Sequence, residues 1–270
     1  MKKILITGAN SYIGTSFEKY MQQWPEQYQV DTVDMIDGTW REKDFSGYDC
    51  VYHVAGIAHI KETEDNAHLY YEVNRDLAIQ TAEKAKADGV SQFIFLSTMA
   101  VYGIEEGVID RNTKPNPKSN YGKAKLEAEQ GIAALSEGCF AVAVLRPPMV
   151  YGEGCKGNYQ SLVKIAQKLP VFPDYQNKRS MIHIDRLCQY IKELLDNGTD
   201  GLVLPQDEEY VCTCRMVREI AKDMGRNMKL WKILNPAVSL AKRFTTAGKK
   251  AFGDLYYVRD EDDRQGKSDE

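Results

Sequence analysis

The strongest constraint on the fold is an alternation of short apolar runs with amphipathic stretches through the first half of the chain. Lys3–Thr7, Gln29–Asp34, Cys50–Ala55, Phe93–Ser97 and Phe140–Leu145 read as buried strands, and Ile13–Trp24, Leu69–Asp88 and Tyr121–Leu135 as helices between them. Phe93-Ile94-Phe95-Leu96 has no polar residue to turn toward water, as expected of a strand covered on both faces by helices. This repeated strand–helix–strand order builds an α/β fold, a Rossmann-type doubly wound parallel sheet. At 270 residues the chain has length for that sheet and a smaller lobe besides.

The lobe is expected to begin near position 150, where Gly152, Gly154 and Gly157 punctuate a loop. Tyr159–Leu169 then reads as a helix and Pro170–Lys178 as irregular chain. Ile182–Asn197 reads as a returning strand and helix, Gly201–Leu204 as a short strand and Thr213–Met224 as another amphipathic helix. The predicted organisation is a dinucleotide-binding domain over 1–150 to which 181–205 return, with a small discontinuous substrate lobe from 151–180 and 206–258. Arg259–Glu270 is almost wholly polar or charged and is expected to be a disordered tail.

Composition excludes several classes of function. A formal net charge of −4 leaves no excess of cations to track a phosphate backbone, so no nucleic-acid partner is predicted. The N-terminal run Met1–Ile6 starts like a signal peptide, but Gly8-Ala9-Asn10 cuts it short, and no later run reaches membrane-spanning length. The expected location is cytoplasmic. Six cysteines are scattered, with Cys212-Thr213-Cys214 the one close pair, and are read as reduced, mostly packed thiols. Four histidines show no ligand spacing, so no metal site is predicted.

The first strand runs into Thr7-Gly8-Ala9-Asn10-Ser11-Tyr12-Ile13-Gly14 and then directly into a helical pattern. A glycine turn there lets backbone N–H groups approach a pyrophosphate seated on the helix N-terminus. The spacing is Gly8-x-x-Ser11-x-x-Gly14, with Ser11 where a middle glycine is usual; its small side chain still permits close approach and could donate its hydroxyl. Asp34 ends the second strand twenty residues after Gly14, where a carboxylate binds adenosine ribose hydroxyls and repels a 2′-phosphate. NAD is therefore favoured over NADP.

Tyr121-Gly122-Lys123-Ala124-Lys125 sets a tyrosine and a lysine one turn apart on one helix face. A free tyrosine, with a pKa near 10, is a poor base at neutral pH, but a neighbouring ammonium and a nicotinamide's positive charge both favour its phenolate. Together with the glycine loop, Val54-Ala55-Gly56, Asn74, Thr98 and Leu145-Arg146-Pro147, this pair resembles the extended short-chain dehydrogenase/reductase family, in its nucleotide-sugar epimerase/dehydratase branch, over nearly the whole chain to about Tyr257.

The resemblance implies Tyr121 as acid/base, Lys125 as the residue that holds the nicotinamide ribose and tunes the tyrosine, and Thr98 on the substrate oxygen. It implies a cofactor site from Gly8, Asn10, Ser11, Tyr12, Ile13, Gly14 and Asp34, with Asp44 and Phe45 at the adenine. Val54, Ala55, Gly56, Asn74 and Pro148 complete that site, with Tyr121 and Lys125. For substrate it implies Thr98, Asn158 and Arg179, the last two on the nucleotide diphosphate, where a guanidinium fork makes paired charge-assisted bonds. Arg179-Ser180-Met181-Ile182-His183-Ile184-Asp185 is similar to the family's R-x-(F/Y)-(I/V)-H-V-x-D, and His183 is read as a packed, hydrogen-bonded residue. A UDP-sugar is the favoured substrate, and the family allows a homodimer.

Members of this branch that remove water carry Asp-Glu directly after the catalytic Thr, whereas Thr98 is followed by Met99-Ala100. Two chemistries stay open: 4-epimerisation, and one-way reduction of a 4-keto sugar, either in bacterial surface-polysaccharide biosynthesis. A non-catalytic NAD(P)-binding sensor of the same fold is the alternative, and would have no need of Tyr121 with Lys125.

Overall fold

The structure is a computed structural model, and it describes residues 1–58, 60 and 62–259. All but the first residue of the expected polar tail, Arg259–Glu270, lies outside them. In chain order the elements begin with β1 (Lys2–Thr7), α1 (Tyr12–Met21), β2 (Tyr28–Val33), β3 (Cys50–His53), α2 (Ala67–Tyr71), α3 (Leu77–Ala87) and β4 (Gln92–Leu96). Next come β5 (Gly107–Ile109), α4 (Asn120–Ala133), β6 (Ala141–Leu145), β7 (Met149–Tyr151), α5 (Asn158–Lys168), β8 (Val171–Pro173) and β9 (Met181–His183). The last are α6 (Ile184–Asn197), β10 (Gly201–Val203), α7 (Thr213–Asp223), β11 (Lys229–Trp231), α8 (Asn235–Phe244), α9 (Thr246–Phe252) and β12 (Leu255–Tyr257).

The chain divides into two compact units. The first comprises Met1–Gly103, Pro115–Gly154 and Ile182–Pro205; the second comprises Ile104–Lys114, Cys155–Met181 and the chain from Gln206 on. The first unit holds a six-stranded parallel sheet in the order β10-β6-β4-β3-β1-β2. Strand residues alternate between its two faces. Ile4, Ile6, Tyr52, Ile94, Ala143 and Leu145 pack with Phe17 and Met21 of α1 and with Leu187, Ile191 and Leu195 of α6. Leu5, Val51, Phe93, Phe95, Val142 and Val144 pack on the other face with Ala78, Ala82 and Ala85 of α3 and with Ala128 and Ile132 of α4. The small alanines let both helices lie close against the sheet.

The strand order reverses at β1, since β2 lies on one side of it and β3 on the other. Doubly wound sheets bind ligands outside the carboxyl ends of their strands at such a point. Three loops leave there: Gly8 after β1, Val54 after β3 and Ser97-Thr98 after β4.

Several expectations need correction. Residues 69–88 are not one helix: α2 and α3 are joined by a π-helical turn, Glu72–Asp76, which inserts extra chain into the ladder. Residues 104–114, expected in the first domain, cluster with the second unit, where β5 pairs with β12. Pro170–Lys178 is not irregular throughout, because β8 pairs in parallel with β11. The six cysteines, by contrast, are free thiols and mostly packed as expected: Cys50, Cys155, Cys188 and Cys214 are buried and Cys139 is exposed, while Cys212 Sγ and Cys214 Sγ lie 3.4 Å apart.

Candidate active site

The loop after β1 is shaped by what it cannot accommodate. Gly8 sits at φ +103°, and a Cβ there would fall 2.9 Å from both the Cα and the N of Ala55. Its amide, and that of Ala9, donate to Val33 O at 2.9 and 3.2 Å, which holds the turn on the end of β2. Asn10 takes a left-handed φ of +63°. Ser11 caps α1, its hydroxyl accepting from the Gly14 amide at 3.2 Å and keeping its own proton to donate outward. A Cβ on Gly14 would meet Ser11 Oγ at 2.6 Å and Val54 Cγ2 at 3.1 Å, so this glycine lets the first helical turn lie against β1 and β3. Tyr12, which opens α1, donates its hydroxyl to Glu153 O at 2.9 Å, and Ile13 packs into the core beneath.

The loop after β3 is clamped by a fully buried asparagine. Asn74 accepts from the Ile57 amide at 2.9 Å and donates to Ile57 O at 3.0 Å. It sits within the π-helical turn, which aims this side chain at the loop; such bulges recur at functional sites. A Cβ on Gly56 would stand 2.6 Å from Asn74 Oδ1 and 3.5 Å from Lys125 Nζ, so Gly56, Asn74 and Lys125 meet at one point. Val54 and Ala55 are buried beside them.

Behind this loop His53, fully buried, shares a 2.8 Å hydrogen bond with Thr7 Oγ1 and lies between Phe93 and Phe95. Burial, and then the Lys125 charge, push its pKa down to about 3, so the ring is neutral.

Ser119 caps α4 by accepting from the Gly122 amide at 3.1 Å, which fixes the start of the helix and places Tyr121 as its second residue. Tyr121 is half-buried and edge-on to Tyr70, with ring centroids 6.4 Å apart. Burial pushes its phenol up to about 12, with the Thr98 hydroxyl pulling the other way. Thr98 caps the short turn after β4, accepting from Ala100 N, while Met99 N donates to Pro147 O at 3.0 Å. Pro148 is buried beside that anchor.

Lys125 is 4% exposed; its Nζ donates to Leu96 O at 2.9 Å and stands 4.6 Å from the Phe95 ring. Burial lowers it to about 8, against the pull of Glu129.

Glu129, one further turn along α4, was not singled out from sequence. It accepts the Ser97 hydroxyl and the Arg146 guanidinium, with contacts of 2.5 to 3.1 Å to the arginine, and Arg146 in turn reaches Tyr102 Oη at 2.9 Å. This buried network ties α4 to the ends of β4 and β6. The available signal was the i, i+4, i+8 spacing of Tyr121, Lys125 and Glu129 on one helix face.

Asp34 follows β2 directly, exposed, and accepts from the Ile36 amide at 2.9 Å. Asp44 is exposed and accepts from Ser46 N, but the Phe45 ring is fully buried in the core and its amide is given to Asp88. The Phe45 ring is thus closed to a ligand, and its carbonyl accepts from the Tyr48 amide at 3.0 Å, so both of its main-chain polar groups are already engaged.

Asn158 and Arg179 belong to the second unit. Asn158 is exposed as the first residue of α5; Arg179 is half-buried with its guanidinium on Gly253 O at 3.1 Å, near Glu105 and Asp254. His183 caps α6, accepting from the Asp185 amide at 3.3 Å, and packs edge-on to Tyr151.

Residues 4–205 match the family described as the NAD dependent epimerase/dehydratase family. The chain belongs to that family. A UDP-glucose 4-epimerase of Vibrio cholerae is 32% identical over 249 residues, which cover 82% of this chain and 75% of the relative. An N-acetyl-alpha-D-glucosaminyl-diphospho-ditrans,octacis-undecaprenol 4-epimerase of Escherichia coli O157:H7 is 26% identical over 73% of this chain and 64% of its own. Among solved structures, a dTDP-4-dehydrorhamnose reductase of Bacillus anthracis in complex with NADP shares the fold, with a TM-score of 0.72 at 17% identity over 98% of this chain and 94% of that one.

The protein is therefore an enzyme of the nucleotide-sugar epimerase, dehydratase and reductase group, with NAD as its cofactor. The residues present fit a dinucleotide. Gly8 and Gly56 have no Cβ and so let Ala55 and Asn74 close against the two loops, the α1 N-terminus follows the turn, and the Asp34 carboxylate directly follows β2. Among the described residues, no helix is long and apolar enough to cross a membrane.

Proposed function

We propose that the enzyme interconverts the two configurations of a hydroxyl-bearing carbon, C4, on a UDP-sugar, with Tyr121 as acid and base. The observation that carries this reading is Tyr121 in the first turn of α4 with Lys125 one turn behind it on the same helix face, where Lys125 Nζ donates to Leu96 O at the carboxyl end of β4, two residues before Thr98. The 32% identity to a UDP-glucose 4-epimerase supports it.

NAD, when bound, supplies the acceptor and donor of hydride at the sugar carbon. Everything else falls to the chain. Tyr121 Oη takes the hydroxyl proton as the carbon is oxidised and returns it to the ketone oxygen on reduction, so one proton shuttles at one atom. Thr98 holds that same oxygen. Lys125 holds the nicotinamide ribose and favours the phenolate by its charge. Without cofactor Tyr121 is held as a phenol, so positive charge brought to the site is what readies it to accept a proton.

For cofactor we assign the Gly8–Gly14 loop to the pyrophosphate and Asp34 to the adenosine ribose. Asp44 takes the adenine end, and Val54, Ala55, Gly56, Asn74 and Pro148 line the nicotinamide end. Asn158 and Arg179 take the substrate diphosphate. The reading carries with it a cytoplasmic location and a role in surface-polysaccharide sugar synthesis.

A second reading, one-way reduction of a 4-keto sugar, is favoured by the phenol form of Tyr121, which is ready to donate. Incubation with UDP-sugars and no added cofactor, followed through the anomeric NMR signals, separates the two. Epimer formation is expected; NAD(P)H consumption with a 4-keto sugar and no epimer would overturn the first reading.

A further inference from the structure

In a chain of net charge −4, the stretch from Arg226 to Gly253 carries seven cations and no Asp or Glu. Lys242 is paired with Glu106 at 2.7 Å and Lys250 with Glu105 at 3.3 Å. Arg226, Lys229, Lys232, Arg243 and Lys249 are exposed and make no ion pair among the described residues.

The same stretch turns its apolar side chains outward. Trp231 is 48% exposed, Ile233 81%, Leu240 61% and Phe244 70%. Ile233 stands on the single 3-10 turn that leads into α8, and Ile233, Ala237, Leu240 and Phe244 follow steps of four, three and four, which is one helix face. Val238 is the buried residue on the opposite side. The helix is held in that orientation by α9, whose Gly248 packs so closely that a Cβ would fall 2.4 Å from the Ala241 carbonyl. An apolar stripe rimmed by unpaired cations is what an interfacial helix presents to a membrane surface.

We propose that this face, α8 with the Trp231–Ile233 turn before it, seats the protein on the surface of an anionic lipid bilayer. Leu240, Phe244 and Ile233 enter the boundary between headgroups and acyl chains, Trp231 lies at headgroup level, and the cations meet lipid phosphates. Charge selects this occupant over a second copy. A two-fold contact through this face would set its unpaired cations against themselves, whereas an anionic headgroup layer neutralises them.

The test is co-sedimentation of the full chain with vesicles of phosphatidylglycerol and phosphatidylethanolamine, against vesicles of phosphatidylcholine alone. The expected result is binding to the anionic vesicles, with a blue shift of Trp231 emission, and weaker binding as salt rises from about 0.1 M to about 1 M. Leu240→Ser with Phe244→Ser lowers the partition coefficient by roughly tenfold or more, with melting temperature and turnover unchanged, because both side chains already face solvent. Lys229→Glu and Lys232→Glu each lower it by about fivefold or more. The proposal is overturned by absent binding to the anionic vesicles, or by binding that the Leu240→Ser, Phe244→Ser pair leaves intact. A dimer in solution that this pair of substitutions breaks would also overturn it, since the face would then belong to a second copy.

Discussion

At Lys125 two forces on one proton oppose each other. Burial lowers its pKa to about 8, while Glu129 one turn away draws it back up. If turnover needs the ammonium, activity should decline as pH rises through about 8. Glu129→Gln removes the charge that raises the pKa, so the alkaline limb should move to lower pH, and Glu129→Asp should largely restore it. A pH profile of kcat reads this directly. The same Gln variant loses stability, by up to about 3–5 kcal/mol, because Arg146 is left buried without its counterion. Thr98 offers a second residue-level test. Thr98→Val removes the hydroxyl assigned to the substrate oxygen and should lower kcat by about 10- to 100-fold, while Thr98→Ser retains most of it. Steady-state kinetics on both variants would decide.

At the scale of elements, the inner strands of the sheet were legible because β1, β3, β4 and β6 are largely apolar runs, and Phe93–Phe95 is buried as its composition requires, while the edge strand β2 mixes Gln29, Asp31 and Thr32 with apolar residues. The π-helical turn at Glu72–Asp76 was not legible: Glu-Val-Asn-Arg-Asp contains no glycine or proline to mark a break, and only the Asn74–Ile57 clamp explains it. Strands of three residues such as β8 and β11 are too short for an alternation to show, and their pairing depends on chain far away in sequence. The glycine loop could be read for its role but not for its constraint. Gly8→Ala would hold an L side chain at φ +103° with its Cβ against Ala55, at a cost of about 1–3 kcal/mol. Melting temperature should fall, and NAD affinity measured by calorimetry should fall with it.

Across the whole molecule, the residues brought together at the ends of β1, β3 and β4 share a base of neutral, buried polar groups. His53 is one of them, and it ties site architecture to global stability. Folded, its pKa is about 3; unfolded, it is near 6.5, so both states are neutral above that value and this site costs no stability there. As pH falls from about 6.5 toward 3, the unfolded chain binds a proton that the folded one refuses, and stability drops by up to about 1.4 kcal/mol per pH unit from this site. Denaturant unfolding across that range should show the slope, and His53→Gln, with no proton to bind, should lack its contribution.

The central claim, that this fold is a hydride-transfer site built around one tyrosine, is tested most directly by Tyr121→Phe, with turnover of a UDP-sugar and bound NAD measured on the same preparation. NAD should be retained while turnover falls by about 100-fold or more, since only the proton-carrying oxygen is lost. Full turnover in that variant would contradict the claim.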